Sequence, residues 1–515
     1  MIFLRPPAAG GRRLLRVLSN SSTCLRAENP KRSTGSGILP PPKLDYDSLG
    51  HPDQENNATL RNVPIPERTF AAIRRDLDAW KSTTRNADSL RAQQAAAGET
   101  VRNAKSDEEK QPAVRKARTL RDTIQAHERE LARLEHSLLS HGLRIPNTSH
   151  PSSPVGPESN ARVLSTHGPS AIPADPIRDH NNLNNLPGMT FFDRDAGVVS
   201  SGSGFAYLRG GGALLEVALV GYAMEVAVRK GFEPVVTPDV VKRDVADRCG
   251  FVPRDGSEAS GESEGEGVPE QMYGVQSHHG AGEGGLVLAG TAEIPLAALH
   301  AQALYNPQDL PRRTVAVGHA FRAEAGARGR DTRGLYRVHQ FTKVELFSVT
   351  TGQAHQRKSE SSAPKDEVKE SDWELEYLLK TQIELYEGLG LTFRVLDMPT
   401  EELGASAHRK YDVEAWMPGR GSWGEISSVS NCTDFQARRL HIRHRHLSEE
   451  ATGPLPYAHT LNGTAAAIPR LIIALLENGV RFTEGGEVEK IVLPKVLKRH
   501  WVGTDQFGNV KIEWS

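Results

Sequence analysis

Two charged residues two positions apart, Arg322 and Glu324, open the stretch from His319 to Phe347, HAFRAEAGARGRDTRGLYRVHQFTKVELF. An arginine fork can grip two oxygens of a phosphate or carboxylate at once, and it keeps its charge at any physiological pH. The pattern predicts an extended segment over 320–324, a Gly/Arg/Asp turn region over 325–334 and a return strand over 336–347. On a single strand Arg322 and Glu324 share a face. Along the return strand, Val338, Gln340, Thr342 and Val344 fall on one face, and Arg337, His339, Phe341, Lys343 and Glu345 on the other. A face of cations, one aromatic and one acid is hard to bury, so it is expected to look into a polar cavity. Taken alone, the same pattern also fits the solvated face of a hairpin.

Three further stretches carry chemistry. Thr291-Ala292-Glu293 follows an apolar strand over 285–289 and precedes a helical run over 294–303. As local structure this is an N-cap threonine with an acid in the first turn, which needs no function. Glu425-Ile426-Ser427-Ser428 lies on a short strand over 425–430, and Glu425 with Ser428 supplies oxygen donors suited to Mg²⁺. Asn462-Gly-Thr464 runs on to Pro469-Arg470 and an apolar helix predicted to begin near Thr464. Two patterns fail on context. Gly419-Arg-Gly-Ser-Trp-Gly424 fits G-x-G-x-x-G, but a strand follows it where a dinucleotide fold needs a helix. His441, His444 and His446 alternate with arginine, the pattern of a basic strand edge. The absence of G-x-x-x-x-G-K-[ST] removes a P-loop NTPase from consideration.

FRAE with GLYRVHQFTKVE resembles motif 2 of the class II aminoacyl-tRNA synthetases, in the form used by seryl-tRNA synthetases, and NGTAAAIPR with its apolar helix is similar to motif 3. The resemblance runs over roughly 43–501. It implies an α+β fold, with an antiparallel sheet of six or seven strands flanked by helices and an N-terminal helical-hairpin arm. It implies serine activation by ATP, with Mg²⁺, and transfer of the seryl group to tRNA(Ser) by a homodimer. Arg322 and Arg470 would be catalytic, holding the α- and γ-phosphates. Thr291, Ala292, Glu293, Arg322, Glu345, Asn462 and Thr464 would bind serine, Glu293 through its ammonium group and Glu345 through its hydroxyl. Arg322, Ala323, Glu324, Val338, Phe341, Glu425, Ile426, Ser427, Ser428 and Arg470 would bind ATP, with Glu425 and Ser428 holding the metal. Thr464 and Ala465 depart from the serine and glycine common there; the threonine keeps a hydroxyl but adds a methyl. A ligase that loads a carrier protein has no need of the arm, and a dead RNA-binding relative has no need of Arg322, Glu324, Glu425 and Arg470 together.

These motifs must be held by elements legible elsewhere in the chain. Phe70, Ile73, Leu77 and Trp80 follow 3-4-3 spacing on a helix over 66–97. After a polar, turn-rich stretch over 98–112, Ala117, Ile124, Leu131 and Leu138 recur at heptad spacing, with Leu120 and Leu134 beside them. This is the seam of an antiparallel hairpin, and Arg115, Lys116, Arg118, Arg121, Arg129 and Arg133 outnumber its acids. The expected domains are a presequence and linker (1–40), an arm (41–144) and a catalytic domain (145–515) with charged insertions at 254–270 and 351–372.

A formal net charge of -1 gives no global basic field, so nucleic acid must be met by local patches. The three cysteines, Cys24, Cys249 and Cys432, form no C-x-x-C and support neither a disulfide framework nor a cysteine zinc site. The most apolar run, 213–228, is interrupted by Glu216 and Glu225, so no membrane partner is expected. Residues 1–27 contain no Asp or Glu, while Arg5, Arg12, Arg13, Arg16 and Arg26 alternate with apolar residues and serine. That composition fits a transit peptide for the mitochondrial matrix. A reporter fused to residues 1–40 is therefore expected to enter mitochondria, and a purely cytosolic reporter would contradict the assignment.

Overall fold

Period-two alternation divides the apolar residues of the central strands between two cores. Val315, Val344 and Leu346 face one, and their neighbours Ala316, Phe347 and Val349 face the other. The computed structural model in which this is seen describes residues 31–32, 39–251, 272–276, 285–324, 334–353, 369–448 and 450–515. Residues 1–30 and 33–38 of the expected presequence and linker, residues 325–333, the whole 254–270 insertion and residues 354–368 of the second lie outside the described residues.

Eight strands form the main sheet: β1 (Arg162–His167), β2 (Glu233–Val236), β3 (Arg312–Phe321), β4 (Gln340–Thr350), β5 (Phe393–Asp397), β6 (Arg409–Met417), β7 (Ser422–Asn431) and β8 (His459–Ala467). Their spatial order is β1-β5-β6-β7-β8-β4-β3-β2, eight strands where six or seven were expected. All neighbours are antiparallel except β3 and β2, which run parallel. The extended stretch over 233–242 is broken around Pro238, whose nitrogen cannot donate to a ladder. Its first part joins the main sheet as β2, and Val240–Lys242 pairs instead with Leu286–Leu288.

The arm consists of α1 (Thr69–Asn103) and α2 (Asp107–Leu143). At about 1.5 Å per residue each helix reaches roughly 50 Å. The turn expected over 98–112 shrinks to 104–106, because Ser106 and Glu109 together cap the start of α2. The Ser106 hydroxyl accepts from the Glu109 amide at 3.4 Å, and the Glu109 carboxylate accepts from the Lys105 amide at 3.1 Å. Pro112 is absorbed in the second turn of α2, where it forgoes a single backbone bond. Leu120, Ile124, Leu134 and Leu138 are buried along the seam, with Ala117 and Leu131 half-buried.

Three longer helices, α3 (Gly211–Arg229), α4 (Glu370–Gly388) and α5 (Ile468–Gly479), cover the first core. By length and composition α3 could cross a membrane. Here one of its faces packs into the core: Leu215, Leu219, Tyr222 and Val226 are buried, and Glu216 accepts from the Thr342 hydroxyl of β4 at 2.6 Å. The apolar helix expected from Thr464 starts only at Ile468, so Asn462 and Thr464 stand on β8. The opposite face of the sheet carries the second, smaller core and the cluster of charges described below. A four-stranded sheet of Val480–Phe482, Val488–Leu493, Gln506–Phe507 and Val510–Trp514 closes the chain.

Arg61, 2% exposed, docks the arm on the body. Its guanidinium donates to the carbonyls of Asn147 (2.7 Å), Ala407 (3.0 Å), Leu403 (3.2 Å) and Gly404 (2.5 Å). Arg61→Ala would strand these buried acceptors and is expected to weaken the junction by about 3 kcal/mol. Hydrogen exchange should then speed up in 39–68 and around 403–407 while the central strands keep their protection. An unchanged exchange pattern would show that the junction is held by other contacts.

Candidate active site

The charged face of β4 meets a cleft lined by Arg322, Glu324, Val338, Phe341, Glu425, Ile426, Ser427, Ser428 and Arg470, which are all the residues predicted for the nucleotide except Ala323. Arg322 and Glu324 do not share a strand face as expected: β3 ends at Phe321, and Glu324 has a left-handed φ of 49°. The return strand likewise begins at Gln340, four residues later than predicted. The two segments still meet beyond the strand ends. The Arg322 amide donates to the His339 carbonyl at 2.8 Å, and the His339 ring bonds the Arg322 carbonyl at 2.7 Å. Arg337 pairs with Glu324 at 3.2 Å.

Arg322 is the electrostatic centre. Its guanidinium stands 5.4 Å from the centre of the Phe341 ring, and its Nε donates weakly to the Gly290 carbonyl at 3.4 Å. Burial and the neighbouring Arg470 both push its pKa down, while Glu425, Glu324 and Glu345 pull it back up. Arg470 sits in the first turn of α5, behind Pro469, a position where proline's missing donor costs nothing. It donates to the Glu425 carbonyl at 2.9 Å, to the Glu425 carboxylate at 3.1 Å and to the Tyr336 carbonyl at 3.3 Å, with its charge 4.7 Å from the Tyr336 ring centre. Burial opposes charge on Glu425, but Arg470 and Lys410 outweigh it and hold the carboxyl well below its usual range. The side chain is thus ionised and about two-fifths exposed to the cleft, with Ser428 also on the wall. Ser427 points inward and donates to the Thr464 carbonyl at 2.6 Å.

The residues predicted for serine gather beside this cleft. Thr464, on its wall, lies opposite Glu345 in the ladder, and Asn462 lies opposite Phe347. Glu345 is buried but paired: the Lys343 ammonium is 2.6 Å from its Oε2. Thr291 is not the N-cap; Ala292 takes that position, and the Thr291 hydroxyl accepts from the Glu293 amide at 3.3 Å. Glu293, Ala292 and Thr291 are all buried. Burial and Glu345 raise the Glu293 pKa to about 7 against the pull of Lys343, Gln436 and Arg322.

Lys343, Tyr336 and Gln436 belong to this neighbourhood and were given no role from sequence. Lys343 and Tyr336 lie within the charged stretch, whereas Gln436 lies outside the stretches that carry the chemistry in the sequence. Asp179, His180 and Glu477 come close enough together to suggest a metal, but Glu477 is saturated otherwise. It accepts from the amides of His180 (3.2 Å), Gly419 (2.8 Å) and Arg420 (3.3 Å). His180 Nε2 accepts from the Leu335 amide at 3.2 Å, which leaves Nδ1 to donate to Glu477 at 3.3 Å. The cluster ties α5 to the entry of the return segment. The three histidines do not share a basic strand edge: His441 ends a short helix in a left-handed turn, and only Arg443–His444 is extended, with His444 buried and bonded to the Thr351 carbonyl at 2.9 Å.

A helix-backed antiparallel sheet with this arginine–acid cleft on its other face defines a class II aminoacyl-tRNA synthetase, and the family "tRNA synthetase class II core domain (G, H, P, S and T)" matches residues 279–479. The chain is 38% identical to the serine–tRNA ligase of Rubrobacter xylanophilus, over 84% of this chain and 91% of that one. It is 37% identical to the mitochondrial serine–tRNA ligase of Schizosaccharomyces pombe, over 87% and 86% respectively. The structure matches that of seryl-tRNA synthetase from Pyrococcus horikoshii complexed with ATP at a TM-score of 0.72 and 29% identity, covering 90% of this chain and 98% of that one. The chain belongs to the seryl-tRNA synthetase family.

The raised pKa of Glu293 has a consequence for stability. Its folded value, about 7, exceeds the ordinary 4.5, so its contribution is fully present below about pH 4.5 and is lost as pH rises through 7. The loss is about 3 kcal/mol. Glu293→Gln is expected to flatten the fall in melting temperature of the ligand-free protein across this window. An unchanged pH slope would show that the carboxyl ionises freely in the fold.

Proposed function

We propose that this protein is a serine–tRNA ligase of the mitochondrial matrix, which activates L-serine with ATP and loads it on tRNA(Ser). The observation that carries this reading is the convergence of Arg322, Glu425 and Arg470 on one cleft, which reaches the buried Glu293–Glu345 pair through Lys343 and Thr464. The serine carboxylate attacks the α-phosphorus of ATP in line, forming the P–O bond of seryl-adenylate as the bond to diphosphate breaks. The terminal ribose 3′-hydroxyl of the tRNA then attacks the seryl carbonyl, and AMP leaves. No side-chain nucleophile is needed, so catalysis is positioning and charge stabilisation. Arg322 grips the α-phosphate and the serine carboxylate, Phe341 stacks on adenine beside Val338 and Glu324, and Arg470 takes the γ-phosphate. Glu293 accepts from the serine ammonium, and Glu345 accepts from its hydroxyl. An alanine substrate would leave that acceptor short of a donor, a loss to which such sites are sensitive.

The ionised Glu425 and the Ser428 hydroxyl on one wall fit Mg²⁺, which takes a few protein oxygens and completes its shell with phosphate and water. When bound, the ion supplies neutralisation of phosphate charge. Exposed Arg115, Lys116, Arg118 and Arg129 along α2 give the arm a phosphate-facing surface, the support for assigning it to tRNA. The mitochondrial assignment rests on the acid-free leader at 1–27 and on mitochondrial relatives, and the homodimer on the family resemblance.

The test is pyrophosphate exchange with each amino acid in turn: serine alone should support it, and another preferred amino acid would overturn the substrate. Arg322→Ala should lower serine-dependent exchange by about 100-fold or more without unfolding the protein. Replacing 66–141 with a short Gly/Ser linker should spare exchange and weaken transfer to tRNA. Full charging by the truncated protein at ordinary tRNA concentrations would remove the arm from the mechanism.

A further inference from the structure

The assignment of Glu293 to the substrate ammonium raises the question of what keeps a buried acid, close to a second buried acid, ready to accept a cation. On the short helix Phe435–Leu440, Gln436 is fully buried and spans three elements. Its Nε2 donates to Glu293 Oε1 at 2.6 Å and lies 3.3 Å from the Cys249 carbonyl. Its Oε1 accepts from the Thr460 hydroxyl of β8 at 2.7 Å. The amide therefore has one orientation. A carboxylate and a carbonyl, both acceptors, face its nitrogen, so its oxygen must face Thr460.

We propose that Gln436 is a positioning residue for substrate-ammonium recognition, fixing one oxygen of Glu293 by a charge-assisted hydrogen bond and so holding the carboxylate ionised and aimed. The inference rests on the ammonium assignment given above. Gln436 contacts neither the nucleotide cleft nor Arg322, so its influence should reach serine and leave ATP alone.

The groups around Glu293 set the sign of the effect. Glu345 and the burial of the site disfavour its charge, Cys249 and Cys432 lie buried nearby as thiols, and Lys343, Arg322 and the Gln436 amide favour it. Serine binds as an ammonium ion to the ionised acid, so affinity should rise with pH through the Glu293 midpoint near 7. Removing the Gln436 donor moves that midpoint up, by about one pH unit for one charge-assisted bond.

The experiment measures serine-dependent pyrophosphate exchange with the full-length protein and Mg²⁺-ATP, from pH 6 to 8.5, for the parent, Gln436→Leu, Glu293→Gln and the double variant. Gln436→Leu is expected to raise the serine KM about tenfold at pH 7, to shift its pH midpoint upward, and to leave the ATP KM in place. In the Glu293→Gln background the same change should add little to KM. A Gln436→Leu profile that superposes on the parent overturns the positioning role, as does an equal rise in both KM values. A Glu293→Gln variant with parental serine KM would instead remove the ammonium assignment itself. Should Gln436→Leu fail to fold, Thr460→Val decides: it unpins the amide and should shift the midpoint in the same direction by less, and an unshifted midpoint overturns the proposal.

Discussion

Two guanidinium groups share one partly buried cleft, and the rest of the catalytic body is arranged so that they can. Arg470 disfavours the charge on Arg322, and burial disfavours both. In a low-dielectric setting that repulsion is expensive unless acids stand close by. Glu425 answers Arg470 directly at 3.1 Å, and Glu324 and Glu345 act on Arg322 at longer range. The acids are in turn too many for comfort at the far end of the site, where Glu293 and Glu345 oppose each other and need Lys343 and Gln436. A cleft balanced in this way retains fixed charge without neutralising it, which a polyphosphate substrate can use.

Holding these charges in place falls largely to β8, the strand between β7 and β4. Its helix-facing residues Leu461 and Ala465 are buried in the main core, while Thr464 lines the cleft from the other side of the strand, with Asn462 two residues before it. From behind, α4 fixes the strand: Gln382 donates to the Thr464 carbonyl at 3.0 Å and to the Ser428 carbonyl at 2.9 Å, and Tyr386 donates to the Ala465 carbonyl at 2.9 Å. Between them, Gly463 leaves the space Gln382 needs; a Cβ there would come within 3.0 Å of its amide nitrogen. The Thr464 and Ser428 walls of the cleft are thereby tied to one glutamine. No local sequence pattern marks this glutamine as a clamp, because both of its partners are carbonyls distant in sequence.

What could be read from sequence was local. The charged face of β4 was plain, because alternation reports which side chains share a side even when the strand's start is misjudged by four residues. Arg322 and Glu324 were grouped correctly for the wrong reason: they reach one cleft from a chain that has already left the strand, with Glu324 in a left-handed turn. The start of α5 was missed because the apolar run does not distinguish the end of a buried strand from the helix that follows. Pro469 was the available marker, since proline favours a first helical turn. Gln436, Arg61 and Glu477 could not be found this way. Each acts by saturating groups far away in sequence, such as Arg61 with the carbonyls of Leu403, Gly404 and Ala407, and no local pattern encodes that pairing.

The arm obeys a different economy, and its seam changes character along its length. Near the body, Phe70, Ile73, Leu77, Leu134 and Leu138 are buried, and Phe70, Ile73, Leu77 and Leu138 join Ala58 and Ile145 in a core of their own. Toward the tip the buried seam includes Ala87, Ala97 and Ala113, with Leu120 and Ile124 partway along. Each alanine removes far less apolar area from water than a leucine does, so cohesion per turn falls from base to tip. Helix propensity and the Ser106–Glu109 cap at the turn offset part of that loss without requiring a core. The base is thus fixed, through Arg61 and Asn147, while the tip lies at the low end of local stability. Orientation is therefore set where the arm leaves the body, and adjustment is easiest at the tip.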